Sequence, residues 1–200
     1  VTSGKTRKVI PYEEARTLIR DADLFLFRGR GLVSLLIQRG GRGHYSHAGM
    51  AVWARDTLLC CEIREWHGGR AVTLSSQVRA FPSRIDWYES APHGMWPEFD
   101  RAATADCMLR KAGTRYGYAA VLNAGLLHLP FVRLLIDPET DDTAGDSAPE
   151  YCSAGVANCY RLGKIDPVFN LSDRLTEPND LSRSPFFQYR ATLEMTKFSN

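Results

Sequence analysis

The segment His44-Tyr45-Ser46-His47-Ala48-Gly49-Met50-Ala51-Val52 constrains the fold more than any other. Past its histidines it is apolar or small throughout, which predicts a buried strand that begins with histidines. Far along the chain, Tyr151-Cys152-Ser153-Ala154-Gly155-Val156-Ala157 predicts a helix whose first turn carries a cysteine. A thiol at a helix N-terminus is pushed toward thiolate by the helix dipole and by unpaired backbone N–H groups. A histidine delivered beside it completes a nucleophile–base pair.

Two hundred residues fit one domain, 1–200, with a substantial core. A formal net charge of +2 gives no argument for a nucleic-acid partner. No apolar run reaches the roughly 18–20 residues that span a bilayer, so no transmembrane segment is expected. The first eight residues are polar and basic, without the apolar stretch of a secretory signal. The expected location is cytoplasmic, or within a phage or secretion particle that delivers the chain. The five cysteines, Cys60, Cys61, Cys107, Cys152 and Cys159, are odd in number and irregularly spaced. This argues against a disulfide framework and for a reducing compartment. Cys152 and Cys159 are separated by roughly 10 Å of helical rise, too far for a bridge. Cys107 and Cys159 are expected mid-helix, in the core.

Residues 11–22 suggest a short amphipathic helix, and Asp23-Leu24-Phe25-Leu26-Phe27 an apolar strand. A helical turn or two is expected over 31–38, then a basic glycine-rich loop over 39–43. Strands follow over 47–53 and 58–64, forming a hairpin turned at Arg55-Asp56. Further strands over 71–74 and 84–88 flank a short helix. Residues 97–112 form a helix with Glu98 and Asp100 in its first turn. Residues 121–136 are apolar and helical, broken near Pro130, and 137–150 form an acidic exposed loop. The helix of Cys152 runs to about residue 161, and Phe186, Phe187 and Tyr189 pack back or form a last strand. The order of elements is α+β, not the alternation of a doubly wound sheet.

Cysteine chemistry needs a thiolate, a base that later protonates the leaving group, and a polar group that orients the imidazole. Glu62 is the best third group. It stands on the strand that pairs with that of His47, so both can project from one sheet face. Glu65 and His67 lie close enough to serve instead. His47, Gly49 and Ala51 alternate on one face, which leaves small residues beside the histidine for a substrate. The oxyanion donor is the backbone N–H of Cys152, with a neighbouring amide such as that of Ser153 or the hydroxyl of Tyr45 or Tyr151 as partner. No metal or other cofactor is expected. His44, His47, Cys60, Cys61 and His67 invite a zinc reading, but adjacent cysteines in a strand point to opposite faces. Gly145-Asp146-Ser147 lies too late in the chain for a lipase serine block. The arginines at 28, 30, 39 and 42 are either solvated loop charge or contacts for an anionic substrate group.

Asp23-Leu24-Phe25-Leu26-Phe27-Arg28, Tyr45-Ser46-His47-Ala48-Gly49-Met50, Cys61-Glu62-Ile63 and Tyr151-Cys152-Ser153 occur in an order that resembles circularly permuted papain-like proteins of the NlpC type, the YiiX-like group. Thr176-Glu177-Pro178-Asn179-Asp180-Leu181 is similar to that group's C-terminal stretch. The resemblance runs from about Asp23 to Leu193. It implies a small antiparallel sheet or open barrel with packed helices, the nucleophile helix docking on the sheet. It also implies Cys152 as nucleophile, His47 as base and Glu62 as the residue that orients His47. The implied activity is hydrolysis of an amide bond in a peptide, such as a cell-wall peptide, through an acyl-enzyme. A lipid-ester hydrolase or acyltransferase on the same site is the alternative. Two departures stand out: Ala154 replaces the glutamate frequent two residues after the cysteine, and 121–150 has the length of an insertion that carries specificity. They motivate a third reading, a non-catalytic binding module of a larger assembly.

Overall fold

The structure, a computed structural model, describes residues 7–29, 43–116 and 151–196. The helical turns expected over 31–38, the apolar stretch 121–136, the acidic loop 137–150 and the Gly145-Asp146-Ser147 motif lie outside the described residues.

Period-2 patterning builds the sheet. The strands are β1 (Val9–Pro11), β2 (Leu24–Phe27), β3 (His47–Ala54), β4 (Thr57–Arg64), β5 (Gly68–Thr73), β6 (Ile85–Ser90) and β7 (Phe187–Glu194). They form one sheet of order β1-β7-β6-β2-β3-β4-β5, antiparallel except for the β1–β7 pair. The hairpin of β3 and β4 turns at Arg55-Asp56 as expected, with Arg55 in the left-handed region at φ 54°. The short parallel strand β1 has no counterpart in the sequence reading.

Alternation along β2 explains why all four of its residues are buried. Leu24 and Leu26 join one core with Met50, Val52, Cys61 and Ile63, while Phe25 and Phe27 join a second core with Ala51, Leu58 and Cys60. Among the described residues five α-helices cover the two faces. The second core is closed by α1 (Tyr12–Arg16) and α2 (Leu74–Ala80), through Tyr12, Ala15, Leu74 and Val78. The first is closed by α3 (Arg101–Arg110) and α4 (Cys152–Leu162), through Cys107, Met108, Val156 and Tyr160. Each Leu, Val or Met side chain so buried contributes ~1.5–3 kcal/mol. The fifth helix, α5 (Pro178–Arg183), opens on a reciprocal capping box between Glu177 and Asp180.

Helix α3 starts later than the sequence suggested. Asp100 is its N-cap, its carboxylate accepting from the Ala103 amide at 2.9 Å, rather than a first-turn residue.

One cysteine expectation is corrected. Cys107 of α3 and Cys159 of α4 form a disulfide, with Cα atoms 5.5 Å apart. Spacing along one helix could exclude the Cys152–Cys159 pair only. The bridge joins two helices distant in sequence that pack side by side, and Gly163 shows how closely. A Cβ there would lie 1.9 Å from Thr104 Oγ1. Disulfides persist in oxidising surroundings, so the argument for a reducing compartment loses its basis.

Candidate functional site

The site lies where the N-terminus of α4 meets the first residue of β3. Tyr151 is extended and caps α4, which puts Cys152 at the first helical position with its amide free of intrahelical partners. His47 is the first residue of β3, so its ring stands at the end of the sheet. It is fixed edge-on against Phe27, ring centroids 5.0 Å apart.

Register fixes the next contact. Glu62 of β4 pairs with Gly49, two residues beyond His47 on the same face. The diagonal brings Glu62 Oε2 to 2.5 Å from His47 Nε2. With Nε2 so engaged, Nδ1 is the nitrogen left for Cys152, whose sulfur hydrogen-bonds the His47 side chain and accepts from the Ala48 and Ser153 amides. The far oxygen of Glu62, Oε1, accepts from Arg70 Nε at 2.8 Å and Nη2 at 2.5 Å. Arg64 approaches the same oxygen at 3.5 Å.

These contacts set the charge states. Burial pushes the Cys152 thiol up, but the His47 charge and the three hydrogen bonds outweigh it, and the thiol is lowered. Burial also works against the His47 imidazolium, yet Glu62 and the Cys152 sulfur raise it to about 9. The Glu62 carboxyl is fully buried, and burial alone would raise it. His47, Arg64 and Arg70 bring it down to about 2. The other two free cysteines go the opposite way: burial pushes Cys60 well up and Cys61 up to about 12. The Cys152 thiol, the His47 imidazole and the Glu62 carboxyl thus stand in series across three elements, the first lowered and the second raised by one another.

The remaining sequence candidates fall elsewhere. Tyr45 is buried, and its hydroxyl donates to Asp86 Oδ2 at 2.7 Å and shares 2.9 Å with Tyr88. The Tyr151 hydroxyl donates to the Arg174 carbonyl at 2.7 Å and lies 3.2 Å from that of Thr176. Both phenolic protons are therefore engaged away from the sulfur. Ser153 is fully buried, its hydroxyl without a hydrogen-bond partner among the described residues. Glu65 and His67 sit in the turn between β4 and β5, beyond the relay. Arg28 donates to the Ser83 carbonyl at 2.6 Å and pairs with Asp86 at 3.1 Å, so it braces the sheet. Arginines 30, 39 and 42 lie outside the described residues.

The small residues beside the histidine do not form a substrate floor. A Cβ on Gly49 would lie 2.8 Å from Cys60 Sγ and 3.5 Å from Glu62 Cβ, so its smallness makes room on that face for the Cys60 and Glu62 side chains of the neighbouring strand β4. Two further residues escaped the sequence reading. Arg70 is one. The other is Asn179 of α5, whose side chain accepts from the Tyr45 amide and donates to the Tyr45 carbonyl, both at 3.0 Å. It clamps the backbone two residues before His47. The Thr176–Leu181 stretch carried that signal without its meaning.

No protein-family model matches the chain, and no curated protein matches it in sequence. Its fold is nevertheless similar to a solved structure, the metalloprotein yiiX from Escherichia coli O157:H7. That likeness has a TM-score of 0.62 at 13% identity and covers 88% of this chain and 98% of that one. The fold is thus α+β of the YiiX-like kind, with an open, mostly antiparallel seven-stranded sheet. No helix among the described residues is long and apolar enough to cross a membrane.

Proposed function

We propose that the protein is a cysteine hydrolase that cleaves an amide bond through an acyl-enzyme on Cys152. The observation that carries this reading is the Cys152–His47–Glu62 relay, in which one of three buried free thiols alone is lowered and hydrogen-bonded to a histidine. The YiiX-like fold, and the resemblance to permuted papain-like proteins of the NlpC type, support it at the level of architecture.

The Cys152 thiolate attacks the substrate carbonyl carbon, forming the C–S bond while the carbonyl π electrons move to oxygen. The Cys152 amide at the start of α4 faces the developing oxyanion; one such donor is worth ~2.7–4 kcal/mol of transition-state stabilisation. Collapse breaks the C–N bond, and His47 Nδ1–H gives its proton to the leaving amine. Water then enters. His47 Nδ1 takes its proton as the oxygen attacks the thioester, and the carboxylic acid leaves with the thiolate restored. Glu62 holds Nε2–H throughout, which keeps the tautomer and the ring plane fixed.

The yiiX protein of similar fold is called a metalloprotein. In the present chain no three His, Cys, Asp or Glu among the described residues are grouped to hold an ion. Glu62 already gives Oε2 to His47 and Oε1 to Arg70, and Cys60 and Cys61 belong to opposite cores. Among the described residues these donors do not fit a metal.

The test is acyl-enzyme trapping with N-acyl peptide and ester substrates, read by mass spectrometry of the intact chain and its peptides. A thioester on Cys152 that is absent in Cys152→Ala and in His47→Ala is the expected result. Turnover retained in either variant would sink the assignment. Esters cleaved only on lipid vesicles would move the reading to a lipid hydrolase or acyltransferase.

A further inference from the structure

Glu62 is held from two sides, and His47 is only one of them. Its side chain is fully buried, and a buried carboxylate with a single imidazole partner is penalised for its charge and tends to take up a proton. Arg70 stands directly opposite Glu62 in the β4–β5 register, which brings its guanidinium within reach of the carboxylate. Its Nε and Nη2 both reach Oε1, which turns Oε2 toward His47. Arg64 lies on the same face but is shared. Its guanidinium carbon is 4.8 Å from the Phe81 ring centre, and its Nη1 is 3.5 Å from both Gln77 Oε1 and Glu62 Oε1. A planar fork that supplies two N–H groups to one oxygen fixes the rotation of a carboxylate in a way a point charge does not.

The geometry points to Arg70 as a positioning residue for the reaction proposed above: it keeps Glu62 ionised and aimed at His47, touching neither the sulfur nor the substrate. This inference rests on the Cys152–His47–Glu62 reading. The charged and titratable groups around Glu62, among the described residues, are His47 of β3, Arg64, Cys60 and Cys61 of its own strand and Arg70 of β5, with Cys152 of α4 beyond the imidazole. Arg70 lowers the Glu62 carboxyl, so its removal lets that carboxyl rise toward the ordinary acidic range. Protonated Glu62 no longer supports the imidazolium, and the thiolate loses its counter-ion.

The experiment is the pH profile of iodoacetamide alkylation of Cys152, located by mass spectrometry, in the wild-type chain, Arg70→Met and Arg70→Lys. Arg70→Met moves the acid limb up by about one pH unit or more. Arg70→Lys, which keeps the charge without the fork, returns part of that shift. Circular dichroism confirms the fold of each variant. If Arg70→Met does not fold, Arg70→Gln is measured in its place with the same outcomes. A variant profile that superimposes on a low-pH wild-type limb would overturn the role of Arg70 and leave the hydrolase reading standing. Lys and Met profiles displaced alike would also overturn it, as the mark of a merely structural residue. A wild-type Cys152 that titrates like free cysteine would overturn the hydrolase reading, and this inference with it.

Discussion

Cys60, Cys61 and Cys152 are all buried and unbridged, yet their surroundings drive them in opposite directions. Cys60 and Cys61 sit mid-strand, where burial and the nearby Glu62 charge favour the neutral thiol. Cys152 has a histidine and two backbone amides on its sulfur. The helix N-terminus and the strand-initial histidine made this legible in the sequence, and the hairpin pairing made Glu62 legible with them. Arg70 was not legible, because Gly68-Gly69 reads as turn and starts the expected strand at 71, whereas the two glycines open β5 and put Arg70 in register with Glu62. At this scale His47→Ala lowers turnover on the order of 10²–10⁴-fold. Glu62→Gln, which keeps the shape but removes the charge, lowers it by less. Both are read as kcat/KM on the substrate that traps the acyl-enzyme, and an unchanged His47→Ala rate would contradict the relay. The active ion pair exists above the lowered Cys152 thiol and below the His47 imidazolium at about 9. The rate is therefore expected to rise from acid, hold across neutral pH, and fall through about pH 9.

Helix α4 carries the nucleophile at its start and is anchored twice near its end. Tyr160 near its C-terminus donates to the Ala22 carbonyl at 2.6 Å, and Cys159 is bridged to α3. The bridge closes a loop of 52 residues. In the chain-entropy account a loop of that size is worth roughly 4 kcal/mol, and typical measured values are about 2–4. Reduction, or the Cys107→Ala/Cys159→Ala double variant, is expected to lower the free energy of unfolding by about 2–4 kcal/mol in urea. An unchanged midpoint would show the bridge to be idle. Asn179→Ala removes both hydrogen bonds to the Tyr45 backbone, leaves them buried, and costs about 1–3 kcal/mol. Because Tyr45 lies only two residues before His47, the same variant slows Cys152 alkylation, and normal alkylation would confine Asn179 to stability. Strands and long helices were readable from periodicity. The disulfide, β1 and the Asn179 clamp were not, since each joins segments far apart in the chain.

Across the whole molecule the buried charges make stability depend on pH in a definite direction. The Glu62 carboxyl, held at about 2, contributes stability present in full above its ordinary range and lost as pH falls toward 2. His47, raised to about 9, contributes stability present below its ordinary value of 6.5 and lost as pH rises through 9. Wild type minus Glu62→Gln, followed by thermal unfolding, should show the difference shrinking with acid, and a difference independent of pH would contradict the buried ion pair. The α+β class followed from the order of strands and helices, whereas the two cores, one on each face of β2 and β3, emerged only from the structure. The measurement that tests the central claim most directly is the ultraviolet thiolate absorbance of the native chain against pH, with Cys152→Ala subtracted. The relay predicts one thiolate already present at neutral pH, well below the ~8.5 of a free thiol, and its loss in His47→Ala. A difference signal that emerges only above that value, or that ignores His47, would contradict an activated thiol at this site.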